Sequence, residues 1–332
     1  AASGYTSQVR NAGHIRNRGY EIQLGAVPIQ TSKGFRWNLD LNYGANSSKV
    51  VKLDDEGLIT SYQLYSSGIQ ILASVSEAYG TLFGTSYVRD ANGNVVVDAN
   101  GLPKISTTNK TLGKFTPDWT GGISNTFSYR SLSLSFLIDA SVGGSIFSNT
   151  NKTGKYTGVL ANTLSGRDAE HGGLWYYTDA MGNNVRLSES PSYSVSSDGL
   201  YYAQVNGQST RVYQDGIMVE GVTESGSKNE EVVSAEKYYH RIYSIAEANV
   251  YDASYVKLRE VALSYRLPRL WTQKLHLQEA SVTLTGRNLW TIYKSVPNID
   301  PESALTTGNA QGVEAYSLPT TRSFGVNLSV KF

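Results

Sequence analysis

The four histidines are the first place to look for chemistry, and each stands alone. His14, His171, His240 and His276 lie far apart, with no second ligand at the close spacing that metal sites use. There is no His-Glu-x-x-His, no Gly-x-Ser-x-Gly and no Gly-x-Gly-x-x-Gly, and Gly113-Lys114 lacks the glycine spacing and the following Ser/Thr of a phosphate loop. Asp54-Asp55-Glu56 could pair as acid and base or hold a cation, but a solvated loop explains it better. Asp90-x-Asn92-x-Asn94 has calcium-loop spacing, yet Val95 stands where an EF-hand needs glycine, so two tight turns around Asn94–Val97 are the better reading. Cysteine is absent, which excludes disulfides and thiolate chemistry. No catalytic constellation, metal site or cofactor site emerges, and the chain reads as a non-enzyme.

What remains is binding and passage. Trp175, Tyr176, Tyr177, Tyr201 and Tyr202 gather in one long polar insert. Aromatic faces of this kind stack on sugars or dock a partner protein, and they also serve simply to pack a loop. Glu21, Arg36, Asp40 and Arg287 are charges set singly within otherwise alternating segments. Their use depends on which way those segments face.

The segments are strands. In Arg322–Phe332, Phe324, Val326, Leu328, Val330 and Phe332 share one face, and Ser323, Gly325, Asn327, Ser329 and Lys331 share the other. Phe35, Trp37, Leu39, Leu41, Tyr43 and Ala45 oppose Arg36, Asn38, Asp40, Asn42 and Gly44 in the same manner. Residues 20–26, a hairpin over 120–142 turning near Arg130-Ser131, and residues 261–267 and 280–286 repeat the pattern. A period of two suits a soluble sandwich as well as a membrane barrel. An apolar face ending in aromatics, with a polar face opposite, favours the barrel. In that reading Glu21, Arg36, Asp40 and Arg287 point into the lumen, because a charge facing lipid is costly.

The chain has 332 residues, 23 Tyr, 32 Gly, 8 Pro, and 29 basic against 28 acidic side chains. With no basic stripe, nucleic acid is not a partner. Mean hydropathy is −0.30, and no apolar run is long enough for a transmembrane helix. Ala1 opens without the features of a signal peptide. The connections run short, long, short, long, short, long: tight links near 28–34, 130–131 and 268–277, large inserts over 47–118, 143–250 and about 291–320. Roughly eight strands result, with every large insert at one end, the habit of outer-membrane barrels. An insert as long as 143–250 must contain folded pieces of its own.

Six phrases carry a family resemblance: Asn17-Arg-Gly-Tyr-Glu21, Leu112-Gly-Lys-Phe-Thr-Pro-Asp-Trp-Thr-Gly-Gly122, Asp252-Ala-Ser-Tyr-Val-Lys-Leu-Arg-Glu260, Gly286-Arg-Asn-Leu289, Asp300-Pro-Glu302 and Leu318-Pro-Thr-Thr-Arg-Ser323. In this order they resemble the carboxyl-terminal barrel of SusC-like TonB-dependent transporters, over nearly all of residues 1–332. The resemblance implies a barrel of about 22 strands, a plug inside it, a SusD-like surface lipoprotein as lid, and TonB-driven import of oligosaccharides or oligopeptides across the bacterial outer membrane. It implies too that the plug and first strands, through which TonB acts, belong to polypeptide outside this sequence, since about eight strands cannot enclose a plug. Phe332 is then the aromatic assembly signal of the barrel. The alternatives are a passive small outer-membrane barrel and a soluble carbohydrate-binding β-sandwich.

Overall fold

The computed structural model describes residues 13–332. Seven antiparallel strands form one open sheet, the wall: β1 (His14–Gln30), β2 (Phe35–Lys52), β3 (Trp119–Tyr129), β4 (Leu132–Val142), β5 (Tyr255–Arg266), β6 (Glu279–Lys294) and β7 (Ser323–Lys331), each paired with its neighbour in chain order. The sequence pattern predicts about eight; among the described residues seven share the sheet. β1 and β7 are its edges, so the sheet does not close on itself.

The alternation decides the wall's two faces. Across β2, β3 and β4 the register aligns Trp37 with Phe127 and Phe127 with Leu134, and it aligns Arg36 with Ser128 and Ser128 with Ser133. Hydroxyl pairs bridge strands on the polar face: Ser128 to Ser133 at 3.2 Å and Ser264 to Thr283 at 2.8 Å. On the apolar face Phe127 lies 6.4 Å from Phe35, 5.7 Å from Trp37 and 6.1 Å from Phe136, ring centre to ring centre. Aromatics mark both ends of this face. Phe35, Tyr129, Tyr265 and Phe332 lie at the short-loop rim, and Tyr20, Tyr43 and Trp119 form a stacked row toward the long-loop rim. Phe35 and Tyr43 are separated by about 26 Å of strand, which at a barrel tilt of about 40° rises about 20 Å, most of the height of an apolar band about 25 Å tall.

The buried core lies outside the wall. Phe147, Ile71, Leu82, Ile245, Val97, Val212, Val232, Val296 and Val313, among the largest fully buried apolar side chains, belong to the long connections, and Val50 joins them from the crown end of β2. Wall residues such as Leu284 (51% exposed) and Val326 (72% exposed) present bare apolar surface. A water-soluble sandwich would cover that face; a lipid-facing wall leaves it open.

The long connections build a crown at one rim. The first contributes a four-stranded sheet of Ser61–Ser66, Gln70–Ser74, Tyr79–Gly84 and Lys110–Lys114. The second carries helices α1 (Asn149–Thr157) and α2 (Ala235–Tyr243) and a second sheet that includes Leu174–Thr178, Tyr201–Val205 and Gln208–Ile217. Gly143 and Gly144, both at φ 77°, turn the chain out of β4 into this crown, and a side chain on Gly144 would press on the Phe115 carbonyl at 3.0 Å. At the other rim the connections are a tight turn after Gln30, a turn at Arg130-Ser131 and the short helix Arg269–Lys274.

Asp90 and Asp98 close turns. The Asp90 Oδ1 accepts from the Asn92 and Asn94 backbone N–H groups at 2.9 and 2.8 Å, and Asp98 does the same for Asn100 and Leu102 at 3.0 and 3.1 Å. Among the described residues no cluster of His, Asp and Glu is arranged to hold a metal.

Candidate functional site

A polar network sits on the polar face of the wall, next to the crown. Tyr255, Lys257 and Arg259 occupy every second position of β5, so all three can reach one partner. That partner is Glu302, in the connection between β6 and β7. Its carboxylate accepts from the Tyr255 hydroxyl at 2.8 Å, from Lys257 at 2.5 Å and from both terminal nitrogens of Arg259 at 2.8 Å. Arg259 also holds Asp139 of β4 through Nε at 2.9 Å and a terminal nitrogen at 2.6 Å. Lys257, 3% exposed, donates to Asp300 at 2.7 Å.

A bulge in β5 between Leu258 and Glu260 disrupts pairing with both neighbours. It adds a residue to the strand, which brings Glu260 to the polar face directly after Arg259. Glu260 there accepts from Arg287 Nε at 2.8 Å. Asn288, at φ 52°, reaches Arg259 at 3.4 Å and the Thr321 carbonyl at 3.3 Å, and Thr320 bonds Asp300. Four of the six recognisable phrases therefore meet in one place. Burial opposes ionisation of Glu302, but hydrogen bonds from Arg259, Lys257 and Tyr255 and the Lys257 charge outweigh it and hold its carboxyl down at about 2. The network can fasten the 295–322 connection to the wall; its charges are mutually occupied.

The register puts Glu21, Arg36, Asp40 and Arg287 on the polar face, Glu21 opposite Gly44, Asp40 opposite Ser124, and Arg287 opposite Glu260. They do not form one site: Arg36 bonds Asn38 at 2.8 Å within its own strand, far along the sheet from Arg287. Phe332 is exposed beyond β7. The crown aromatics are brought together, and mostly inward. Trp175 and Tyr176 are buried; Trp175 packs with Tyr193 and Tyr201 around Ala203 and Val212, and Tyr176 stacks on Tyr213 at 5.0 Å while donating to Asp215 at 3.2 Å. Tyr177, Tyr201 and Tyr202 are half-buried.

Beside this sheet the crown has two clefts. The larger, about 700 Å³, is lined by Tyr87, Leu174, Ile217, Tyr238, Tyr239 and Lys155 among others. The smaller, about 630 Å³, is lined by Tyr156, Arg167, Asp215, Glu236, His240 and again Lys155 and Tyr239. The Tyr156 and His240 rings stack at 4.1 Å. Burial raises the Asp215 carboxyl above the usual range, partly offset by the Tyr176 hydroxyl.

Sequence reading passed over Asp139, Lys257, Arg259, Asp300, Glu302 and Lys155 as site residues. Lys257, Arg259, Asp300 and Glu302 had a signal: with Tyr255 they make three donors at a spacing of two, followed downstream by two acids two apart. Asp139 and Lys155 had none.

No protein-family model matches the chain. It is 25% identical to TonB-dependent receptor P3 of Formosa agariphila across 99% of its length, and 24% identical to receptor P26 of the same organism, also across 99%. The chain spans about 30% of the length of these relatives. In fold it is similar to a chain of the RagAB peptide transporter, with a TM-score of 0.57 at 19% identity, and to the RagAB peptide importer in its closed-closed state, with 0.58 at 19%; all of this chain and 31% of the other are covered in each case. The resemblance to SusC-like TonB-dependent transporters that the six phrases carry is thus borne out along the whole chain by sequence relatives and by fold, and the wall is a segment of a transmembrane β-barrel.

Proposed function

We propose that the full-length protein carrying this chain imports oligosaccharides or oligopeptides across the bacterial outer membrane, driven by TonB and capped by a SusD-like surface lipoprotein. The observation that carries the reading is the wall itself. One face is bare and apolar between two rows of aromatics, the other is polar, and every long connection gathers at one rim. The names of the relatives, TonB-dependent receptors, and of the solved neighbours, peptide importers, support it. In this reading Glu21, Arg36, Asp40 and Arg287 line the channel. The half-buried rings of Tyr177, Tyr201 and Tyr202 offer faces to cargo or lid, while Trp175 and Tyr176 stiffen the sheet that bears them. The remaining strands pair with the free edges of β1 and β7, and the plug sits inside the barrel they close.

The test is uptake. In the producing bacterium, deleting the gene should abolish accumulation of labelled oligosaccharides or of labelled oligopeptides, and an uncoupler should do the same in the undeleted strain. Uptake that survives the uncoupler would give the passive-barrel reading instead. Copurification of a surface lipoprotein with the transporter checks the lid.

A further inference from the structure

Lys155 is a cation placed where the crown has no anion for it. It stands in the last turn of α1 and is 9% exposed. Its Nζ donates to the Ala248 carbonyl at 2.8 Å, reaches Asn249 Oδ1 at 3.4 Å and lies 5.3 Å from the centre of the Tyr251 ring. All three partners are neutral. Among the described residues no carboxylate comes within ion-pair distance of it.

An ammonium has three protons to donate, and these acceptors take two. Buried lysines are normally paired with an acid or reach water with the charged end. Lys155 contrasts with Lys257, which is more deeply buried and is held by Asp300 and Glu302. Burial without a counter-charge holds its ammonium down at about 8. It lines both crown clefts. The smaller already holds Asp215 and Glu236, which repel an anion, whereas the larger carries Glu220 alone among acids and is walled by Tyr87, Tyr238 and Tyr239.

We propose that the larger cleft is a cargo subsite and that Lys155 anchors a carboxylate of the cargo there, with the chain of the cargo running along the three tyrosines. This rests on the import reading and narrows its substrate to a carboxylate-bearing oligomer. The carboxylate has two possible sources, a peptide terminus and a uronic acid.

Two probe pairs separate these sources on the purified full-length transporter. One is an acetylated tetra-alanine with free carboxyl against its amide; the other is a trigalacturonate against its methyl ester. By titration calorimetry the free acid of one pair should bind about tenfold or more tighter than its neutral partner, the range for a hydrogen bond to a charged group. The pair that shows the preference names the source. Lys155→Gln should bring the ratio to about one, and Lys155→Arg should keep it. In the unsubstituted protein the preference should fade as pH rises past about 8, because the ammonium is then discharged. Thermal unfolding of Lys155→Gln should be unchanged or raised, since an unpaired buried charge is removed. Equal binding of acid and neutral probes, a preference that survives Lys155→Gln, or no binding of either acid would each overturn the proposal. None of these results touches the uptake assay, which tests import separately.

Discussion

The indole of Trp37 donates from Nε1 to the Asn125 side-chain oxygen at 3.0 Å, on the face of the wall that is otherwise apolar. Asn125 is 8% exposed and lies between Leu39 and Phe136 in the register. An amide facing lipid cannot turn to water, so its partner must come from the protein. The neighbouring indole supplies one bond and covers the group. Trp37→Phe keeps the ring and removes the donor. It should cost about 1–3 kcal/mol, the penalty for stranding a buried polar group. Asn125→Leu in the same background should recover most of that loss. Urea unfolding of the reconstituted transporter, followed by loss of heat-modifiable migration, measures both.

Glu302 is the hub of the network at the crown side of the wall, accepting from Tyr255, Lys257 and Arg259. Glu302→Gln leaves Lys257 and Arg259 sharing Asp300 and Asp139 alone. Lys257 is buried but Glu302 itself is exposed to solvent, so the loss of its charge-assisted bonds should cost about 1–3 kcal/mol and should appear as release of the 295–322 connection. Limited proteolysis should cut between 303 and 312 in the variant and spare the parent.

The same carboxylate sets a pH window. Its folded value, about 2, lies below the 4.5 of a free glutamate. Its stabilisation is therefore complete above about 4.5 and is lost as pH falls toward 2. In the parent, proteolysis with an acid-active protease should open the 303–312 stretch only near the bottom of that range. Glu302→Gln should be open throughout it, with no step.

The wall was legible because a strand writes its two faces at a period of two, and this one keeps that period through most of its length. It broke the rule where packing supplied a reason. Asn125 hides under Trp37, and the bulge at Arg259 puts two adjacent charges on one face. The strands also run beyond the alternating segments, β1 to His14 and β2 to Lys52, because outside the apolar band only the ladder constrains them. The helix α1 was not legible. Its residues, Asn149–Thr157, are poor helix formers. It is held at its start by the Ser148 cap and by the buried Glu314, which accepts from the Thr150 backbone at 3.2 Å and hydroxyl at 2.6 Å, and is closed by Gly158 in the left-handed region. The network was half legible: its donors could be read from β5, but Asp139 lies 120 residues away, and nothing local announces such a pairing.

Gly113, within the second of the familiar phrases, has φ 151° and touches Ser145, whose side chain occupies the space of a Cβ. Ser145 begins the segment that carries Phe147 into the crown core with Ile71, Leu82 and Val313. Gly113→Ala must strain the backbone and push that segment away. Its cost should be about 2 kcal/mol or more, from a φ that side chains avoid together with overpacking. The crown should loosen while the wall survives. Hydrogen exchange should accelerate at Phe147 and Leu82 and stay unchanged in β6.

Adjacent residues in β7 test which face meets lipid. Val326 pairs with Leu284 on the apolar face, and Asn327 pairs with Thr283 on the polar face. Both lie mid-strand, at the depth of the bilayer centre if the two aromatic rows mark its surfaces. An arginine at that depth on a lipid-facing position costs about 2–4 kcal/mol, whereas on a channel wall it meets water or other polar groups. Val326→Arg should therefore cut the yield of folded, heat-modifiable transporter sharply, and Asn327→Arg should leave it near the parent level. The same yield from both would mean that neither face is in contact with lipid. The reverse order would turn the sheet inside out and place Arg36, Asp40 and Arg287 in the bilayer, where the wall offers Asp40 no cation in its register. The one-residue step between the two sites isolates facing from depth, since their distances from either rim differ by only about 3 Å.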